Sequence, residues 1–233
     1  MNTWSPPIAL TMGEPAGISA EITLKAWRDH RNQVQPFFVI DDPERIQNVS
    51  LSLGWDIEIG IIDSPCEIMN YFPKCLPVLP LGKKVRSTLG KPDPGNGTAV
   101  ISSIKKAASL ALSGKVGAIV TNPIQKSALY RMGFSFSGHT EYLAHLSNVK
   151  RKPVMMLYSE KLRVVPVTTH VSLMDAVKLL STKLIIETAE TTLFSLRKDF
   201  GIYHPKLAIA GLNPHAGEDG TMGEEEIMII GPA

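Results

Sequence analysis

Unbroken apolar runs that alternate with amphipathic stretches constrain this chain more than any other feature. A strand with one wet face alternates apolar and polar residues, so a continuous apolar run marks a strand covered on both sides. Residues 7–12 (PIALTM) and 36–40 (PFFVI) are such runs. Between them a Gly/Pro turn leads into helical apolar spacing from Ile18 to Trp27. Asp41-Asp42-Pro43 then stops the second run and signals a helix start. The 55–95 region mixes short apolar runs (IEIGII, LPVLPL) with prolines and reads as strands and loops. Asn96 or Thr98 is expected to cap a helix in which Val100, Ile101, Ile104, Ala107, Ala108 and Ala111 share one face. Gly114 ends that helix, and residues 116–121 (VGAIVT) return as a strand.

The second half repeats the pattern. Residues 154–159 (VMMLYS), 162–169 (LRVVPVTT) and 206–212 (KLAIAGL) are expected strands. Ser172 opens a helix over 173–180, and a second runs from about 182 to 199 with Ile185, Ile186, Ala189, Leu193 and Leu196 inward. The whole reads as α/β with much parallel pairing and helices on both faces. Near the end, Gly223 to Glu226 looks like a helix start, and Ile227 to Ile230 forms an apolar segment that nothing later in the sequence covers.

Composition removes several classes. With 233 residues, 44% hydrophobic and 20% charged, the chain can bury a core and is neither disordered nor fibrous. Its 24 basic and 22 acidic groups leave a net charge of +2, and no basic stripe carries interleaved aromatics, so nucleic acid is not an expected partner. No run reaches the roughly 18 apolar residues needed to span a bilayer, and MNTWSPP lacks the basic and apolar regions of a secretory signal. Cys66 and Cys75 match no zinc or redox spacing. A cytoplasmic protein with two reduced thiols is expected.

Polar, Gly-rich segments follow the expected strands: Thr11 to Gly17 (TMGEPAG), Thr121 to Lys126 (TNPIQK), Thr168-Thr169-His170, and Gly211 to Glu218 (GLNPHAGE). Ligands of open α/β sheets sit at such carboxyl ends. His170 and His215 could meet there as imidazole ligands of a zinc-like ion. Read plainly, they are loop imidazoles bonded to backbone, and two donors fall short of the three a catalytic zinc usually takes. Gly138-His139-Thr140-Glu141 opens a short helix, whose free N–H groups favour an anion or are capped by Thr140. Lys126 beside Asn122 is either a solvated lysine or a partner for substrate charge. The GEPAG loop has G-x-x-x-G spacing, a weak phosphate-cradle signal, and neither a G-x-G-x-x-G fingerprint nor a Walker-type GK[ST] exists. His30, His145 and His204 have no matching context, and no G-x-S-x-G elbow supports hydrolysis by a serine.

ALTMGEPAGISAEI (9–22), GKPDPGNGTA (90–99), TNPIQKSAL (121–129), GHTEYLA (138–144), TTH (168–170) and GLNPHAGEDGTMGEEE (211–226) occur here in that order. Together they resemble the 4-hydroxythreonine-4-phosphate dehydrogenase family of pyridoxal phosphate (vitamin B6) biosynthesis. The resemblance implies an isocitrate/isopropylmalate-dehydrogenase-like fold, with two lobes and a cleft, that binds NAD or NADP without the Rossmann fingerprint. It further implies a homodimer with a shared active site and a divalent metal (zinc, magnesium or cobalt). By motif, His170 and His215 match metal ligands and His139 and Thr140 match substrate contacts. Lys126 or a bound water is expected to relay the proton, and cofactor-binding residues are not assignable.

The family's third metal histidine, in a later D-x-G-H-like segment, has no counterpart here. Nor do its later substrate-holding lysine, asparagine and arginine. On this reading residues 1–233 form one incomplete dehydrogenase unit, a C-terminally truncated member. The implied reaction oxidises 4-(phosphooxy)-L-threonine to 2-amino-3-oxo-4-(phosphooxy)butanoate, which decarboxylates to 3-amino-2-oxopropyl phosphate. Alternatives are a sister dehydrogenase for another phosphorylated hydroxy acid such as phosphoerythronate, an inactive remnant, or a metal-dependent hydrolase using His170, His215 and Glu218.

Overall fold

A computed structural model describes residues 6–233; the MNTWS stretch lies outside the described residues. The chain divides into two compact units, one ending at Ser147 and one spanning Asn148–Ala233.

The first unit is built on a five-stranded, wholly parallel sheet in the order β3-β4-β2-β1-β5. Its strands are β1 (Ile8–Thr11), β2 (Phe37–Asp41), β3 (Ile59–Ile61), β4 (Leu76–Pro80) and β5 (Ala118–Val120). Every residue of β2 is buried, which confirms strands covered on both faces. Helices α1 (Ser19–His30), α2 (Pro43–Ser52), α3 (Ile68–Tyr71) and α4 (Gly97–Leu112) fall between the strands, and α5 (Lys126–Tyr130) and α6 (His139–Ser147) follow β5. Phe38, Ile40, Leu24, Ile46 and Leu76 are fully buried in the main core, where each side chain of this size stabilises by roughly 1.5–3 kcal/mol. A second cluster gathers Met12, Val100, Ile104, Leu129, Phe134 and Tyr142 under α4 and α6.

Local chemistry explains most boundaries. Asp42 caps α2, its Oδ1 accepting from Glu44 N at 3.0 Å, with Pro43 in the first turn. The cap of α4 differs from expectation. Asp93 accepts from Gly95 N at 2.8 Å and starts a short 3₁₀ turn over Pro94–Asn96 that runs into α4. Asn96 makes no cap bond and donates Nδ2 to Arg86 O at 2.7 Å instead. Ile101 is only partly buried, whereas Ser103 is fully buried. Ser103 Oγ donates to Ile40 O at 2.8 Å and accepts from Met12 N at 2.9 Å, which ties α4 to the carboxyl ends of β1 and β2.

The second unit departs further from the sequence reading. The expected strands 154–159 and 162–169 shrink to β6 (Leu157–Tyr158) and β7 (Arg163–Val164), and they pair antiparallel. The turn between them is closed by Ser159 N donating to Leu162 O at 2.9 Å, and two strands joined that tightly can only run antiparallel. Residues 206–212 form no strand, and Leu207 and Ile209 are exposed. An apolar run becomes a strand only with a ladder partner, and among the described residues none pairs with it. Ser172 does open α7 (Leu173–Leu179), accepting from Asp175 N at 3.1 Å. In α8 (Thr182–Lys198) the buried stripe is Ile185, Thr188, Thr192 and Leu196, with Ile186 exposed and Leu193 only partly covered. The Glu224 region leads into a π-helical turn over Glu226–Ile230, where Ile227 and Met228 are exposed. Cys66 and Cys75 are both free thiols.

One ion pair in the first unit is fully buried. Arg45 meets both carboxylate oxygens of Asp41, with Nε 3.0 Å from Oδ1, and Asp42 N donates to the same Oδ1 at 2.6 Å. Arg45 NH1 also reaches Pro15 O at 3.3 Å. Burial pushes the Asp41 carboxyl above its usual range, against the pull of Arg45. Removing one member of such a pair strands the other charge. Asp41→Asn should therefore cost about 3–5 kcal/mol in urea denaturation. A loss below about 1 kcal/mol would mean that solvent or another group compensates Arg45.

Candidate functional site

The carboxyl ends of β1 and β5 meet in the first unit, and the loops leaving them interlock. Asn122, just past β5, is buried, and both donors of its side-chain amide are engaged. Its Nδ2 donates to Thr11 O and to Thr23 Oγ1, each at 2.9 Å, and its backbone N–H donates to Thr11 Oγ1 at 3.2 Å. Glu14 N donates to Pro123 O at 2.8 Å. Gly13 sits at φ 69°, where a Cβ would lie 2.7 Å from Asn122 Cβ and 2.8 Å from Pro123 O. Only glycine allows that approach in that conformation.

The same contacts correct the phosphate-cradle reading of GEPAG. Glu14 N is spent on Pro123, Ala16 N donates to Glu14 Oε1 at 3.0 Å, and Gly17 N donates to Glu14 O at 3.1 Å. With three of its amides committed to protein acceptors and Pro15 lacking an N–H, the loop offers no converging set of donors to a phosphate. Asn122 is likewise a structural residue.

Beyond that knot, Lys126 begins α5 and His139 begins α6. A methyl placed on the buried Gly138 would lie 3.9 Å from Lys126 Nζ and 3.7 Å from Glu141 Oε2, so the two charged groups flank this glycine. His139 is half-buried with Nε2 lacking a partner, and Thr140 stands exposed in the first turn of α6. Helix α6 starts at His139, so Thr140 lies inside the helix and is not its cap. The first-turn amides of a helix have no intrahelical acceptors. Phe134, Phe136 and Tyr142 pack ring to ring at 5.0–5.4 Å and anchor α6, and His145 joins them 5.0 Å from Phe136 as a packing residue.

In the second unit, His170 and His215 are both exposed. His215 Nδ1 lies 2.7 Å from Glu218 Oε1. Since a carboxylate only accepts, Nδ1 carries a proton, and in the neutral ring this leaves the lone pair on Nε2, the arrangement usual for a metal-binding imidazole. Glu218 is thus an orienting partner of His215, unlike the independent carboxylate ligand of the hydrolase reading. Among the described residues no group of three or more His, Cys, Asp or Glu side chains converges as a metal site. The donors present suit a metal but do not complete one.

Backbone strain marks the same two loops. Among the described residues, Asn148, His170, Ala216, Glu218 and Asp219 are the non-glycine residues with positive φ, and all but Asn148 flank or include the two imidazoles. Glu226, which the sequence reading missed, braces the second loop: its Oε1 accepts from Leu212 N at 2.7 Å, and Cβ atoms on Gly211 or Gly217 would fall about 3 Å from its carboxylate.

The family described as pyridoxal phosphate biosynthetic protein PdxA matches residues 33–233. The chain belongs to that family. It is 46% identical to a 4-hydroxythreonine-4-phosphate dehydrogenase of Methylorubrum extorquens over 97% of this chain and 67% of that protein. It is 43% identical to one from Bradyrhizobium diazoefficiens, covering all of this chain and 70% of that one. A crystal structure of the Klebsiella pneumoniae enzyme superposes with TM-score 0.87 at 36% identity, over 100% of this chain and 70% of that chain. The α/β fold with a parallel sheet expected from the sequence is thereby established, as is the resemblance read from the motifs.

Desolvation, and then the nearby Lys126, lower the pKa of His139 below its ordinary 6.5. As pH falls through 6.5 the unfolded chain takes up this proton before the folded one does. The associated stability is complete above pH 6.5 and is lost as pH drops toward the folded pKa. His139→Gln should flatten the decline of stability with falling pH in denaturant titrations. An unchanged decline would show that His139 is not desolvated.

Proposed function

We propose that this chain acts in pyridoxal phosphate biosynthesis as a 4-hydroxythreonine-4-phosphate dehydrogenase, oxidising 4-(phosphooxy)-L-threonine with NAD or NADP. The observation that carries this reading is the cluster at Gly138, where Lys126, His139 and Glu141 meet beside an exposed Thr140 in a family whose relatives bear that activity. His139 and Thr140 orient the substrate, the neutral imidazole through a hydrogen bond and Thr140 through its hydroxyl and the first-turn amides that favour an anionic group. Lys126 sets a positive charge beside the reacting hydroxyl and takes part in moving its proton. A bound nicotinamide would supply the hydride acceptor for C3. The resulting 2-amino-3-oxo-4-(phosphooxy)butanoate is a β-keto acid, and it loses CO₂ to give 3-amino-2-oxopropyl phosphate.

His170 and His215 are assigned as two imidazole donors to a divalent cation, zinc, magnesium or cobalt. The free Nε2 of His215 and the strained backbone of both loops support this. Two imidazole donors alone do not complete a site for that cation. The working form is taken to be a cytoplasmic homodimer with a shared active site. No helix among the described residues is long and apolar enough to cross a membrane.

The test is NAD(P)H formation from 4-(phosphooxy)-L-threonine, with a parallel zinc titration. Turnover in the wild type should fall at least tenfold in His139→Ala, and zinc affinity should fall in His215→Ala without loss of fold. A folded, dimeric wild type that neither turns over nor binds this substrate would overturn the reading.

A further inference from the structure

Polar side chains buried in the first unit are almost all spent on partners, Asn122, Ser103, Thr23 and Arg45 among them. The exceptions among its described residues are Gln125 Oε1 and His139 Nε2, both buried without a hydrogen-bond partner and both next to Lys126 in sequence or in space. A buried carbonyl oxygen with no donor leaves its desolvation penalty uncompensated. Gln125 occupies the N-cap position of α5 with φ −99° and ψ 104°, yet its side chain does not cap that helix. The residue as a whole is only half-buried, and the terminal torsion of glutamine is soft, so the oxygen can turn to a ligand at small cost.

We infer that the Gln125 side-chain carbonyl is a substrate-recognition group, accepting a hydrogen bond from the ammonium of an amino-acid substrate held by His139 and Thr140. The inference rests on the functional reading above and names the residue that tells an amino acid from a hydroxy acid at that site. An acceptor-only oxygen suits a group that only donates, and a charged donor gives about twice the bond of a neutral one. Glu141, across Gly138 from Lys126, supplies the negative charge that offsets two neighbouring cations. Nothing in the fold itself uses the Gln125 oxygen, so an apolar side chain of similar length should leave the empty protein as stable as before or more so.

The experiment is calorimetric titration of the full chain with 4-(phosphooxy)-L-threonine and with 4-phosphoerythronate, which carries a hydroxyl where the first carries its ammonium. Gln125→Leu should keep or raise the thermal midpoint, weaken the amino-acid ligand tenfold or more, and change the hydroxy-acid ligand less than threefold. Gln125→Glu keeps an acceptor oxygen and should retain the preference for the amine; it decides the matter if Gln125→Leu does not fold. Equal losses for both ligands, no loss for either, or a marked drop in the thermal midpoint of a folded Gln125→Leu would overturn the inference. His139→Ala should weaken both ligands, so a Gln125→Leu without effect beside a defective His139→Ala sinks the inference and spares the functional reading. A wild-type chain that binds neither ligand ends both.

Discussion

The structure of the site depends on how closely two loops approach at the carboxyl ends of β1 and β5. Gly13 leaves no room between its Cα and the Asn122–Pro123 segment, and Asn122 spends both Nδ2 donors on Thr11 and Thr23. These contacts fix where the chain stands when it reaches Gln125 and Lys126, three and four residues later. The buried Asp41–Arg45 pair adds a brace from the neighbouring strand, because Arg45 also holds the carbonyl of Pro15. Gly90 N donates to Ala16 O at 2.8 Å and ties the 88–91 turn to the same loop. The GEPAG segment is therefore a structural keystone for a site formed by other residues.

The two units differ in how completely they bury their apolar surface. Both core clusters belong to the first unit. In the second, only Ile185 and Leu196 are buried apolar residues, while Leu173 and Met174 on α7 are 85% and 70% exposed. This unit relies on side-chain bonds such as Thr182 Oγ1 to Ile229 O at 2.8 Å and Thr192 Oγ1 to Thr188 O at 2.7 Å. Its two histidine loops carry left-handed residues that a loosely packed unit would shed unless local contacts held them. Glu226 on Leu212 and Glu218 on His215 are such contacts.

Much of the first unit was legible in the sequence because its signals are local. Continuous apolar runs marked β1 and β2, Asp42-Pro43 marked the start of α2, and periodicity marked α4. What escaped depends on groups far apart in the chain. Ser103 is an unremarkable helical serine until Ile40 and Met12 are placed against it. Asn96 looked like a cap because only the fold shows that Asp93 starts the turn. Residues 206–212 have the composition of a buried strand, but a strand exists only through its neighbours, and composition does not reveal them. Motif resemblance points to His139 and Thr140 as candidates, whereas Gln125 and Glu226 stand out only through unmet or unexpected hydrogen bonds.

The most direct test of the account is to close the gap at Gly13 and measure both stability and ligand binding. Gly13→Ala forces a left-handed alanine into contact with Asn122 and Pro123, at a combined cost of about 2–4 kcal/mol. Gly17→Ala is the control, since a Cβ there meets its nearest neighbour at 3.4 Å. The account predicts that Gly13→Ala loses stability and also loses affinity for 4-(phosphooxy)-L-threonine in the fraction that remains folded, while Gly17→Ala changes either quantity only slightly. A Gly13→Ala protein with wild-type stability and wild-type affinity would show that the loop contact does not position the site.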